Sequence, residues 1–362
     1  MINLSKEEEE RAIALHREAI VIDLHSHNVT AERIPILRKG GVTAVFNCQS
    51  YEEYSGGSVE EYESSIYRYD GFAKRALKDL DALFSEFEKG CVDMVLALKA
   101  DDIKEAKKRG KIAMILAFEG AKSLEGTLYL LRTYYRLGFR LIQFNHNYRN
   151  QLSDGCVERN AAGLTNFGVD VVREMNKLGM LIDLMHLAEP GFLDVLELTN
   201  DPVIVSHVGS RTIRNVKQNL TDNMIKAVAE NGGVIGTVFS PLLVKKDLPM
   251  TINDILDHID YFVKVAGIDH IAIGTDFPGS CARIKLRGHR REQHLAMLRH
   301  FNKIRPEDYQ RVTITPPPEG TENMWADLPN VTRGLVARGY SDEEIKKILG
   351  GNILRVFAKV VD

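Results

Sequence analysis

The sequence predicts an α/β protein of the (β/α)8 TIM-barrel class, with a helical insertion after the second strand and helices after the last. Three observations predict it. Short apolar runs alternate with helix-like stretches from residue 19 to residue 275. There are eight such runs, each almost continuously hydrophobic, as parallel strands buried on both faces are. The residues able to do chemistry stand where these runs end, at the face on which barrel enzymes assemble their sites.

Taken in order, residues 4–18 read as an amphipathic helix opening on Ser5 as N-cap, with glutamates in its first turn. Ala19 to Leu24 is the first strand, leading into His25-Ser26-His27. Thr30 to Lys39 is a short helix ended by Gly40-Gly41, and Val42 to Asn47 is the second strand. The rhythm then breaks: residues 58–110 are charged and mostly helical, with a short apolar run at 92–98, and read as an elaborated connection within the barrel. It resumes with the strand Lys111 to Phe118, the helix Leu124 to Leu137, and the strand Phe139 to Phe144 before Asn145-His146-Asn147. The helix Thr165 to Leu178 and the strand Met180 to Met185, ending in His186, follow. Then come the helix Gly191 to Leu198, the strand Pro202 to Ser206 ending in His207, and a helix to Glu230 with Thr221 as N-cap. Gly233 to Phe239 is a strand, Ile252 to Ala266 a helix, and His270 to Thr275 the eighth strand, ending in Asp276.

Residues 279–318 are long and basic and read as a loop over the active-site face. Trp325 to Gly339, Ser341 to Leu349 and Asn352 to Val360 read as helices closing the barrel bottom, with Ser341 and Glu344 forming a capping box. The whole of 1–362 thus reads as one barrel domain.

Composition excludes several function classes. A formal net charge of −3 gives no footprint for nucleic acid or an anionic membrane. The longest apolar runs are strand-sized, so no transmembrane helix is expected. No glycine-rich nucleotide motif follows any strand. The charged N-terminal stretch lacks the apolar core of a secretory signal, so the expected location is cytoplasmic. Cys48, Cys91, Cys156 and Cys281 are scattered without a CxxC pair and read as thiols without a metal role.

The strand ends carry His25 and His27, Glu119, His146, His186, His207 and Asp276. Residues i and i+2 of a strand share a face, so His25 and His27 reach one point in space. Imidazoles with carboxylates favour Zn²⁺ and similar ions, and one carboxylate, Glu119, can bridge two of them. Two metals about 3.5 Å apart would share a bridging hydroxide that is nucleophilic at neutral pH. Asp276 would accept its proton and pass it to the leaving group. A lone histidine after a strand is more often a hydrogen-bonded loop residue, so the ligand reading rests on the set. His270 begins its strand and reads as structural; His16, His258, His289, His294 and His300 read as solvated. Asp23 and Asp183 read either as partners holding a ligand or as satisfied core polar groups.

The segments IDLHSHN, LAFEG, FNHN, AAGLTNFGVDVVREMNKLGMLIDLMH, PVIVSH, QNLTD, GGVIG, HIAIGTDFPG and LPNVTRGLVARGYSDEEIKKILGGNILRVF resemble the membrane (renal) dipeptidase family of the amidohydrolase superfamily. The resemblance covers nearly the whole chain, less well over 50–110 and 279–318. It implies a binuclear metallopeptidase, most simply with two Zn²⁺, acting on a small-molecule substrate as a homo-oligomer. His25 and His27 would bind one ion, His186 and His207 the other, and Glu119 would bridge. His146 would contact the substrate and stabilise the tetrahedral intermediate, and Asp276 would be the acid/base.

Two departures stand out. His27 takes the place of the family's usual aspartate, exchanging an anionic ligand for a neutral one. Gln218 falls where the family has an arginine that pairs with a dipeptide's carboxylate, and an amide cannot make that bidentate pair. Arg211, Arg214, Lys217 and the loop Arg283–Arg291 are the cations placed to compensate, and that loop reads first as a solvated basic helix. The expected function is therefore hydrolysis of an amide or related bond. A lactone, cyclic-amide or deamination substrate, or a metal-binding barrel without catalysis, stands as the alternative.

Overall fold

All eight apolar runs form parallel strands, seen in a computed structural model that describes residues 2–50, 71–89, 93–245, 247, 249–277 and 317–362. The strands are β1 (Ile22–Ser26), β2 (Ala44–Ser50), β3 (Met94–Leu96), β4 (Ile112–Glu119), β5 (Phe139–Gln143), β6 (Leu181–Asp183), β7 (Ile204–Val208), β8 (Val234–Thr237) and β9 (Ile271–Ile273). The order β2-β1-β9-β8-β7-β6-β5-β4 returns from β4 to β2, which closes a ring of eight.

The ninth strand corrects the expectation for residues 58–110. Residues 92–98 were expected within a helical connection, but Met94–Leu96 pairs with Ile112–Met114 as β3. It uses the edge of β4 that β5 takes over from Leu116 onward, β2 holding the other edge. The helices Phe72–Glu88 and Ala100–Lys108 flank it. Residues 58–70, 90–92 and 279–316, with Cys91, Cys281, His289, His294, His300 and Arg283–Arg291, lie outside the described residues.

Several strands stop earlier than their apolar runs, and two of them show why. β6 ends at Asp183 and β9 at Ile273. Side chains take the backbone donors that a longer ladder would use. Asp183 Oδ1 accepts from Met185 N at 3.0 Å, and Asp23 Oδ1 accepts from Thr275 N at 2.8 Å. Each chain then turns through a left-handed residue, His186 at φ 62° and Asp276 at φ 60°.

Alternation sorts the strand residues. Ile22, Ala44, Ala113, Leu141, Leu181, Ile204, Val234 and Ala272 form one cluster, shared with Val356 and Phe357 of the C-terminal helix Asn352–Val361. That helix closes the bottom, as expected. Glu119 is six residues beyond Ala113 on the same face of β4, so it points inward at the opposite end. Gly236 and Gly274 back onto the carbonyl of Ser206: an added Cβ would sit 1.9 and 1.7 Å from its oxygen. Only glycine lets β8 and β9 approach β7 this closely.

The caps at Ser5, Thr221 and Ser341 form as expected, the first and last as full capping boxes. Two histidines do not behave as expected. His16 is buried, its Nε2–H donating to Gly40 O at 2.8 Å while Nδ1 meets Thr332 Oγ1 at 2.7 Å. His258 is buried too, with Nδ1 accepting from Ser210 N and Nε2 facing Val244 O. Both lie on helix faces turned toward the core, which a local count of polar neighbours does not reveal. His270 bonds to Gly233 O at the strand start, as a structural residue should.

Burial pushes the His16 imidazole below its ordinary 6.5, and Lys107 and Arg333 add to this. The unfolded chain then binds a proton that the folded one refuses. Stability is full above about pH 6.5 and falls as pH drops below it, by up to about 1.4 kcal/mol per unit for one group. Urea midpoints at pH 7 and 5.5 are expected to fall less steeply in His16→Gln than in the wild type. Equal slopes would contradict this assignment.

Candidate functional site

The barrel ring brings the strand-end residues to one point, and Glu119 is its centre. Its carboxylate is 4% exposed and is faced by five imidazole Nε2 atoms. Oε1 lies 3.5 Å from His25, 3.6 Å from His146, 3.7 Å from His186 and 3.9 Å from His207. Oε2 lies 3.7 Å from His27. His25 and His27 hold their Nε2 atoms 3.1 Å apart, and Asp276 Oδ1 is 3.3 Å from His27 Nε2. All seven predicted strand-end residues thus converge.

Local structure explains the aim of each ring. β1 is irregular between Asp23 and Ser26, where Asp23 Oδ1 accepts from His25 N. β1 and β9 interlock at their ends, with Asp276 N donating to His25 O at 2.9 Å and His27 N to Phe277 O at 2.7 Å. β7 shifts register between Val205 and Val208, the stretch that carries His207. The left-handed turn at His186 brings in a side chain that a continuing strand, alternating from Leu181, would turn away, and Asp276 takes the same backbone conformation.

The second ring nitrogens are held from behind. His27 Nδ1 meets Cys48 O at 3.0 Å, and His207 Nδ1 meets Ser206 Oγ at 2.8 Å. His25 Nδ1 reaches the same Ser206 Oγ at 3.4 Å, and His186 Nδ1 lies 3.9 Å from Cys156 Sγ. The His25 and His207 rings lie 3.7 Å apart, centroid to centroid. Ser206 was not singled out in the sequence. Its signal was its place next to a strand-end histidine, but the histidine from β1 that shares it is 181 residues away.

Charge is sorted within the site. Burial alone would raise the Glu119 carboxyl, but the imidazoles of His146, His27 and His25 outweigh it and hold the group well below the usual carboxylate range. Burial works to lower His27, yet Glu119 and Asp276 push it up to about 9. Burial and the surrounding imidazoles hold His186 and His207 well below 6.5, in the neutral form that offers a lone pair.

These residues fit divalent ions. Donors bound at about 2.0–2.2 Å to one ion stand about 3.0–3.5 Å apart, near the separations seen here. His25, His27 and Glu119 form one candidate ligand group, and Glu119, His186 and His207 another, with Glu119 common to both. His25, His207 and Asp276 form a third. The outward Nε2 and anchored Nδ1 atoms are the arrangement of metal-ligating histidines.

The two ambiguous aspartates both hold backbone at or beside candidate ligands. Asp23 Oδ2 accepts from Ser26 Oγ, Thr275 Oγ1 and Trp325 Nε1, and its Oδ1 accepts from His25 N and Thr275 N, so it fastens the strand ends and holds the backbone of a candidate ligand. Asp183 Oδ1 accepts from Met185 N and Ser206 N, which links it to the strand carrying His207. Cys48 and Cys156 are buried, and neither is in a disulfide.

Beside His186 opens a cleft of about 220 Å³, lined also by Cys156, Gln218, Arg211 and Lys217. Gln218 therefore sits next to the converging residues. Arg214, predicted with it, does not line this cleft. No helix among the described residues is long and apolar enough to cross a membrane.

Comparison with known proteins agrees with this geometry. The profile of the membrane dipeptidase family (peptidase family M19) matches residues 9–295 and 308–362. The dipeptidase tcpJ of Claviceps purpurea is 29% identical over 272 residues, 74% of this chain and 56% of that protein. The uncharacterized dipeptidase C965.12 of Schizosaccharomyces pombe is 31% identical over 271 residues, 72% of this chain and 56% of the relative. The chain thus spans about half the length of the curated relatives it matches. Among solved structures, an amidohydrolase from Pseudomonas aeruginosa superposes with a TM-score of 0.80 at 26% identity, covering 97% of this chain and 99% of that one. A metallo peptidase from Rhodobacter sphaeroides, liganded with a phosphinate mimic of the dipeptide L-Ala-D-Ala, has the same fold at 18% identity, with a TM-score of 0.72 over 95% of this chain and 100% of that one. With a closed parallel barrel, a carboxylate ringed by histidines and a family profile matched along nearly its whole length, this chain belongs to the membrane dipeptidase family, peptidase family M19.

Proposed function

We propose that this protein is a binuclear metal-dependent hydrolase that cleaves the amide bond of a small, dipeptide-like substrate. The observation that carries the reading is the Glu119 carboxylate shared by two histidine groups with Asp276 alongside. His25, His27 and Glu119 would hold one ion, and Glu119, His186 and His207 the other. Mixed imidazole and carboxylate donors favour Zn²⁺. Bound there, the ions supply Lewis acidity, which acidifies water and polarises a carbonyl oxygen.

The chain's own groups do the rest. Asp276 takes the proton of the attacking water and returns it to the leaving amine nitrogen. His146 stands beside the reacting carbonyl and offers a ring N–H to its oxygen as negative charge develops there. The cleft beside His186 holds the far end of the substrate, against Gln218. Arg214 lies outside the lining of the cleft, and its backbone carbonyl accepts from Asn219 Nδ2 at 2.8 Å, which ties its loop to the segment that carries Gln218. We place the whole chain in a single barrel domain. We read it as a cytoplasmic homo-oligomer, on its scattered cysteines and the prevalence of symmetric assemblies.

Purified protein is expected to carry divalent metal and to hydrolyse members of a panel of free and end-blocked dipeptides. Chelation should remove the activity and Zn²⁺ or Mn²⁺ restore it. Protein that takes up no metal, or that loads fully and hydrolyses nothing, would overturn the reading.

Ser206 gives a finer test. With Nε2 engaged, both His25 and His207 carry a proton on Nδ1, and Ser206 Oγ accepts it. Ser206→Ala is expected to weaken metal retention about ten- to hundredfold, read by competition with a chromogenic chelator, with the fold intact. Unchanged retention would remove Ser206 from the centre.

A further inference from the structure

The cleft beside His186 has an unusual floor. Gln218 is 7% exposed, and its Oε1 is buried without a hydrogen-bond partner. Buried carboxamide oxygens normally have a donor, so an orphaned one on a residue that lines a cleft is a place for a ligand's N–H or O–H once the side chain turns to it. The wall also carries the apolar side chains of Met185, Leu187, Leu220 and Met224.

The cations nearby do not change this floor. Arg211 Nε donates to Asn219 O and Nη2 to Lys217 O and Asn219 O, and Nη1 lies 3.9 Å from Glu189 Oε2. Its guanidinium is thus committed to the protein. Lys217 and Arg159 are exposed at the rim, and Glu158 and Glu189 line the same cleft with the opposite sign. Exposed charges of mixed sign are screened and select weakly.

We propose that the cleft takes a neutral hydrogen-bonding end of the substrate, a carboxamide or lactam, in place of a free carboxylate, and that Gln218 makes this choice; the inference rests on the proposed hydrolase reading for the bond that is cut. A carboxylate is an acceptor only, so it meets the Gln218 oxygen with like partial charge, and the Arg211 guanidinium that could offset it is committed to the protein. A carboxamide meets it with N–H donated to Oε1 and C=O accepting from Nε2–H. Two neutral amides satisfy each other, and neither leaves a charge uncompensated.

The test compares L-Ala-D-Ala with its C-terminal carboxamide on metal-loaded protein. Binding is read by calorimetry and kcat/KM by release of the amino-terminal alanine. The wild type is expected to favour the carboxamide at least tenfold in both readouts. Gln218→Arg should reverse the preference, and Gln218→Leu should abolish it without reversal, which keeps the test alive if the arginine does not fit. Equal or tighter binding of the acid, binding of neither ligand, or a preference that both variants leave unmoved overturns the inference. Selective binding of the carboxamide without cleavage of either ligand would leave the inference standing and count against the hydrolase reading. Cleavage with the acid preferred would do the opposite.

Discussion

Asp276→Asn is expected to lower kcat about 10²- to 10⁴-fold while the purified protein keeps its metal. The carboxylate stands 3.3 Å from His27 Nε2 at the end of β9, with its side chain 14% exposed. It is held by the backbone, through a left-handed φ of 60° and the bond from its own N–H to His25 O. Asparagine tolerates that conformation and has the same shape, so the geometry survives. What is lost is a group that can hold a proton between the attacking water and the leaving nitrogen. Because that transfer belongs to the transition state, kcat and kcat/KM should fall together, with KM little changed. Metal content by plasma emission and turnover on a cleaved dipeptide, measured on one preparation, separate the outcomes. A near-wild-type rate rules out the acid/base role. Loss of metal along with activity would instead make Asp276 a ligand, in keeping with its grouping with His25 and His207.

The second large effect is on stability. Asp23→Ala is expected to cost at least about 3 kcal/mol, because it strands the buried donors His25 N, Thr275 N and Trp325 Nε1 at about 1–3 kcal/mol each. The hydroxyls of Ser26 and Thr275 also bond this carboxylate, but they can rotate toward other acceptors. One carboxylate thus fastens the end of β1 to the end of β9 and to Trp325. Those two strand ends carry His25 and Asp276. The variant should therefore lose activity at temperatures where it is still folded. Asp23→Asn keeps an acceptor and the volume, and should lose less. Urea unfolding followed by tryptophan fluorescence and far-UV circular dichroism measures both, and a cost under about 1 kcal/mol for Asp23→Ala would refute the keystone role.

The irregularity of β1 at Asp23 also shows where reading the sequence stops. His25 and His27 were legible as a pair, because strand geometry puts alternate residues on one face. The carboxylate that takes the His25 N–H there is itself fixed by Trp325 and Thr275, roughly 300 and 250 residues away in sequence. No local pattern encodes it. His16 and His258 fail for a related reason. Each sits among charged neighbours in sequence, while the helix face that carries it packs inward. The run at 92–98 was too short for its apolar character to separate strand from helix, and only pairing with β4 settles it as β3.

By itself the sequence determined the ring of strands and the residues at their ends. Apolar runs of strand length must be buried on both faces, and polar residues that terminate them must gather where the strands gather. That argument needs only period and order, and it delivered His25, His27, Glu119, His146, His186, His207 and Asp276 to one place. Tertiary structure alone decided how those side chains are aimed and what stands behind them. The left-handed turns at His186 and Asp276, the shared Ser206 hydroxyl and the unpartnered oxygen of Gln218 depend on atoms brought together from distant parts of the chain. Hydrogen bonds and close packing act over a few ångströms in space, whatever the separation in sequence, so they exist only once the barrel has closed.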